Sequence, residues 1–136
     1  MKQLLLSELD AYADRVEFID AVPLEEVPRV MARASIAVFP SLWENFPNVC
    51  LEAMAAGRAV VASKEGGMVD MLTSSDGGLF VDPEEPSEIA TALLTLLQDP
   101  NRVRAMGERN RARALEYYGN KLVGELFDVY RTLSFD

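Results

Sequence analysis

The sequence predicts an α/β fold: a parallel sheet of about four strands flanked by helices, forming one domain over residues 1–136. Three observations predict it. Short apolar runs recur in order, at Val16-Glu17-Phe18-Ile19, Ile36-Ala37-Val38-Phe39, Ala59-Val60-Val61-Ala62 and Leu79-Phe80-Val81. Such runs suit strands covered on both faces. Segments of helical length separate them, as crossovers between parallel strands require. Pro and Gly mark the boundaries.

Residues 3–13 read as a short helix with Leu5, Leu9 and Tyr12 on one side, ahead of the strand at 16–19. Residues 23–34 read as a helix that begins or bends at Pro28. Glu25 and Glu26 lie in its first turn, where the helix dipole favours them. The strand at 36–39 ends at Pro40-Ser41, and a loop leads into a helix at 47–56 that Gly57 stops. The strand at 59–62 is followed by Lys64-Glu65-Gly66-Gly67 and one or two helical turns at 68–72. Asp76-Gly77-Gly78 signals a turn before the strand at 79–81. Pro86 occupies the first position of an amphipathic helix at 86–97. Helices at 101–118 and 121–133 are split at Gly119-Asn120. Arg102, Arg104, Arg109, Arg111 and Arg113, with Glu108 and Glu116, read as a solvated helix face rather than an anion site. The chain shows no internal repeat and no low-complexity linker.

Composition narrows the function. A chain of 136 residues, 49% hydrophobic, can bury one core. The net charge of -9 argues against nucleic acid as a partner. Cys50, the single cysteine, excludes an internal disulfide and reads as a core thiol. No run reaches the about 20 apolar residues of a membrane span. The N-terminus does not fit a signal peptide, so a cytoplasmic location is expected. The chain has no histidine. That excludes Ser-His-Asp and Cys-His chemistry within it, and His-based metal sites; no metal is expected.

The chemistry centres on Glu44-Asn45-Phe46-Pro47-Asn48-Val49-Cys50-Leu51-Glu52. Two carboxylates lie eight positions apart, across a loop that enters a helix. Apart from Glu52 that helix is apolar (Val49, Cys50, Leu51, Ala53, Met54, Ala55, Ala56), which predicts that it is buried. A buried carboxylate costs free energy unless something bonds to it, so Glu52 asks for a ligand or a partner. Ligands of open parallel sheets sit at the carboxyl ends of the strands. There Phe46, Asn48 and Val49 offer backbone N–H groups, suited to a phosphate. Gly66-Gly67 permits close backbone approach. An anion centre flanked by hydroxyl-binding carboxylates suits a nucleotide sugar.

Glu44 to Glu52, followed by Ala53-Met54-Ala55-Ala56-Gly57 and Val60-Val61-Ala62, resembles the donor-site core of the retaining GT-B glycosyltransferases of family four. The resemblance runs from about Val16 to the C-terminus. Val16-Glu17-Phe18-Ile19, Ala37-Val38-Phe39-Pro40-Ser41 and Gly77-Gly78-Leu79-Phe80-Val81 flank the motif in the family's order. The resemblance implies a partial, Rossmann-like nucleotide-sugar-binding domain and hexosyl transfer with no metal and no cofactor beyond a UDP- or GDP-type donor. It implies that Glu44 is the catalytic-site carboxylate on the transferred sugar. Phe46, Pro47, Asn48 and Val49 would lie along that sugar and its phosphates, with Gly66 and Gly67 nearby. Glu52 would hold the ribose, with Pro40 and Ser41 on the base and ribose side.

Three positions depart from the family pattern: Asn45 and Asp20 stand where Gly is common, and Asp70 where Glu is. Relative to the family, the N-terminal acceptor domain is absent. So are the first two strands of the C-terminal domain, which carry the diphosphate-neutralising Arg and Lys. Two outcomes are expected for the sheet: strand 16–19 pairs directly with strand 36–39, or the open edge of 36–39 takes another chain, by self-association or from the missing domain. Two function classes stay open. The chain is either the donor-binding part of a glycosyltransferase, inactive alone, or a non-catalytic binding or assembly module that keeps the fold. A different small nucleotide-binding domain is disfavoured, because no Gly-x-Gly-x-x-Gly or Walker sequence occurs.

Overall fold

The computed structural model describes residues 9–72 and 76–118. Three strands, β1 (Ile36–Phe39), β2 (Ala59–Ser63) and β3 (Gly78–Val81), form a parallel sheet in the order β1-β2-β3. Ile36 pairs with Ala59, and Val60 with Gly78. Five helices connect or flank them: α1 (Val27–Ala32), α2 (Asn48–Ala55), α3 (Met68–Leu72), α4 (Pro86–Leu97) and α5 (Pro100–Tyr118). Short 3-10 turns occupy Asp10–Arg15 and Leu24–Glu26. The second leads into α1, where Pro28 sits in the first turn, its tolerated place. The expected helix at 121–133, its Gly119-Asn120 break, and residues 3–8 of the first expected helix lie outside the described residues. Residues 10–15 form a 3-10 turn instead of that helix's end.

One strand is corrected. Val16-Glu17-Phe18-Ile19 is not a strand, and the sheet has three strands among the described residues. Val16 has extended dihedrals, but a strand exists only when a neighbour completes its ladder, and β1 pairs with β2 alone. The expected direct pairing of 16–19 with β1 is therefore not formed. Arg33, just after α1, instead ties the segment down through an ion pair with Glu17.

Alternation along β2 builds two core layers. Val60 and Ala62 face Cys50, Leu51, Met54, Met68, Met71 and Leu72 of α2 and α3. Ala59 and Val61 face Val81, Ala92, Leu96 and Met106 on the opposite side. Helix α5 serves both layers: Met106 packs in the second and Ala114 in the first. It crosses the amino end of the sheet, where Gly107 rests so close to the Gly57 carbonyl that a Cβ there would overlap it. Gly57, at φ +71, ends α2. Its N–H bonds the Met54 carbonyl and the Arg58 N–H bonds that of Ala53, the paired closure that glycine at this position allows. Among the described residues no helix is long and apolar enough to cross a membrane.

Candidate functional site

Two loops meet at the carboxyl ends of β1 and β2. The Gly67 N–H donates to the Glu44 carbonyl at 2.8 Å. A Cβ on Gly66 (φ +79) would overlap the Glu44 carbonyl, and one on Gly67 would overlap that of Asn45. Both glycines are thus required by backbone packed on backbone, and the pair anchors the segment that carries Glu44.

Helix α2 begins behind Glu44. Pro47 is its buried N-cap, and its carbonyl accepts from the Cys50 N–H at 3.0 Å. No side chain caps this end. The N–H groups of Asn48 and Val49 have no acceptor among the described residues, so first-turn donors and the positive end of the helix dipole face outward together. The Glu44 carboxylate is exposed and has no partner among the described residues. Ser41 is half-buried; Leu42, Trp43 and Phe46 are exposed around it. The structure therefore brings Ser41, Glu44, Phe46, Pro47, Asn48, Val49, Gly66 and Gly67 to one end of the sheet.

Glu52 lies one turn into α2, about 6 Å along the axis from Asn48. The expectation of a helix buried on all sides is corrected here. Cys50, Leu51, Ala53 and Met54 are buried, whereas Asn48, Val49 and Ala55 are exposed and Glu52 is half-buried. The reason is the neighbour: α1 stands away from α2 and leaves a cleft of about 380 Å³ between them. Leu24, Val27, Pro28, Met31, Ala55 and Ala56 line it, and among the described residues Glu52 is the one charged residue in its wall. The carboxylate has no hydrogen-bond or ion-pair partner among the described residues. Sequence reading missed the α1 wall. Its signal was the apolar spacing of Leu24, Val27 and Met31, a helical face that finds no core, since no residue of α1 is buried.

Other groups near this end are committed. Lys64 pairs with Asp82 at 2.7 Å. That hydrogen bond raises the lysine and lowers the carboxyl from their ordinary values. The Ser63 hydroxyl accepts the Glu65 N–H at 3.1 Å. Cys50 is fully buried, and desolvation pushes its thiol up to about 12, so it stays protonated and inert. Among the described residues no group of His, Cys, Asp and Glu could hold a metal ion.

Of the run expected to be a solvated face, Arg113 is half-buried, whereas Arg109 is exposed as expected and also makes a tertiary hydrogen bond. Arg113 donates to the Met71 carbonyl at 2.6 Å and Arg109 to that of Asp76 at 3.0 Å, fastening α5 to α3 and to the turn before β3.

Residues 2–99 match the family model of the glycosyl transferases group 1. A D-inositol 3-phosphate glycosyltransferase of Corynebacterium urealyticum is 35% identical over 118 residues, 87% of this chain and 28% of the relative. Sucrose-phosphate synthase of Thermosynechococcus elongatus superposes with a TM-score of 0.85 at 30% identity, covering 97% of this chain and 33% of that one. HepE of Anabaena, solved in complex with UDP-glucose, superposes with a TM-score of 0.80 at 26% identity, covering 98% and 36%. The chain spans between a quarter and two fifths of the length of each.

Proposed function

The chain belongs to the glycosyl transferases group 1 family, and from that premise we propose that it is the donor-binding part of a retaining, metal-independent glycosyltransferase of the cytoplasm. The cleft beside Glu52 takes the nucleoside: the apolar wall from α1 faces the base, and the carboxylate accepts hydrogen bonds from the ribose hydroxyls. The diphosphate lies at the start of α2 against the Asn48 and Val49 N–H groups. Glu44 accepts from hydroxyls of the sugar as it leaves the phosphate with its configuration kept. One observation carries the reading: a partly buried, unpartnered carboxylate in an otherwise apolar cleft, one turn from outward-facing helix N–H donors. The relative bound to UDP-glucose supports a donor of that class.

A specific observation favours a second reading, donor binding without turnover. Lys64, the cation nearest in sequence to the paired loops, is engaged by Asp82. Charge developing on a leaving diphosphate needs cations, and these must come from an acceptor domain, from further strands or from another chain at the β1 edge. Transfer by the 136-residue chain alone is therefore not expected.

Titrating UDP, GDP and their sugars into the 15N-labelled chain tests the proposal. Shifts should gather at residues 24–31, 40–52 and 63–68, and Glu52→Gln should weaken every nucleotide. Shifts scattered over the surface would sink donor binding. Mixing with a complementing N-terminal domain should restore transfer, and Glu44→Gln should remove it; transfer that survives the substitution would leave Glu44 outside the chemistry.

A further inference from the structure

A second cavity, of about 520 Å³, opens at the amino end of the sheet, away from the loops of the candidate site. We infer that it binds a small amphiphilic anion, with an apolar body seated on Ile36, Leu97 and Val103 and an acidic group held by Arg104 and Arg111.

The volume falls in the range of small-molecule sites, which are mostly apolar with a few convergent polar groups. The floor is apolar and open: Leu97, the last residue of α4, is 66% exposed. The rim is cationic. Arg58 is fixed there, its Nε on the Ala56 carbonyl at 2.8 Å and its Nη1 on that of Ala34 at 2.5 Å. Arg104 and Arg111 project from α5 seven residues apart, on one face of the helix. Glu108 stands between them, and none of these three makes an ion pair among the described residues. Three guanidinium groups against one carboxylate leave a local excess of two positive charges on a chain whose net charge is -9. That contrast selects an anion, and the open apolar floor selects one with a hydrophobic body. A guanidinium not already committed offers paired donors to a carboxylate, sulfonate or phosphate.

The test uses 1-anilinonaphthalene-8-sulfonate as probe on the full chain, read by amide shifts. Signals of Gly57, Arg58, Gly107 and Arg111 should move together. Arg104→Gln with Arg111→Gln should weaken binding about tenfold, as the loss of two surface ionic contacts predicts. Both arginines are exposed, so the fold should survive. Leu97→Asn, also at an exposed position, should weaken binding on its own. Neutral N-phenylnaphthylamine should bind more weakly than the sulfonate. Equal binding of the neutral probe would overturn the inference, as would an affinity unchanged in both variants. So would shifts confined to the cleft at 24–31 and 52–55. UDP should leave the Gly107 and Arg111 signals in place, which separates this site from the proposed donor site.

Discussion

The two ends of the sheet are secured in opposite ways. At the amino end, side chains from distant parts of the sequence close backbone carbonyls. Arg58 bonds those of Ala34 and Ala56, Asn110 Nδ2 bonds that of Arg58 at 2.8 Å, and Arg109 reaches that of Asp76. At the carboxyl end, the loops after β1 and β2 meet through main chain, with the Gly67 N–H on the Glu44 carbonyl and two glycines permitting the approach. Side chains there are left over: Glu44 and Glu52 have no partner among the described residues, and Trp43 is 67% exposed. The contrast shows how the fold separates tasks. Polar side chains stabilise where they are used up on the chain itself; those at the carboxyl end remain available to a ligand held on a rigid support. Arg104 and Arg111 are the exceptions at the amino end, and the proposed anion site rests on them.

The largest effect should follow breaking the main-chain contact. Gly67→Val places a branched side chain where the Asn45 carbonyl lies. Unfolding by urea should show a loss of about 3 kcal/mol, the upper range for overpacking, and nucleotide-induced shifts should vanish because Glu44 moves with its loop. Asn110→Ala attacks the other end. It removes a buried donor and strands the Arg58 carbonyl, at a cost of about 2 kcal/mol, yet nucleotide shifts should stay as they were. If instead Asn110→Ala abolished nucleotide binding while Gly67→Val spared it, the division of labour would be reversed.

Gly57→Ala should act more mildly. The site has room for a Cβ, whose nearest neighbour would be the Gly107 carbonyl at 3.6 Å, so only the left-handed φ opposes it. A loss of about 1 kcal/mol in the same urea experiment is expected. A much larger loss would mean that α5 presses on this corner more tightly than its geometry implies.

What was legible in the sequence follows from the same contrast. The strand at 36–39 was read with its observed bounds, because an apolar run stopped by proline is a local signal. Helices 68–72 and 86–97 also match their expected bounds, the first opened by a Gly pair and the second by Pro86, signals that are equally local. The strand at 16–19 failed because strand character depends on a partner elsewhere. The motif foreshadowed the grouping of Ser41, Glu44 and residues 46–49 at one end of the sheet. The reason for Gly66 and Gly67 was not legible: they fit against Glu44 and Asn45, a contact between loops that no spacing encodes. The apolar helix around Glu52 was read as buried on all sides, since composition cannot tell an open cleft from a filled one. Arg113 reads as solvated, because a charged side chain that caps a carbonyl 42 positions away has the same sequence pattern as one in water.

The smallest effect concerns the one ion pair at the carboxyl end among the described residues, between Lys64, just beyond β2, and Asp82, just beyond β3. Their hydrogen bond lowers the Asp82 carboxyl, and the Glu84 N–H at 3.0 Å lowers it further. Its contribution is therefore present above the ordinary carboxylate value of 3.8 and is lost as pH falls through the lower folded value. Lys64 is raised, so its contribution persists below its ordinary 10.5 and is lost as pH rises through the higher folded value. Between these limits the pair should be insensitive to pH. Lys64→Gln should move the Asp82 titration upward in NMR while leaving stability almost unchanged, since an exposed pair contributes little, and 1 M salt should shrink the difference. Nucleotide binding should change little as well. A large loss of UDP affinity in Lys64→Gln, with the Asp82 titration unmoved, would show that the lysine leaves its partner for the diphosphate. The carboxyl end would then own a cation that its resting geometry hides.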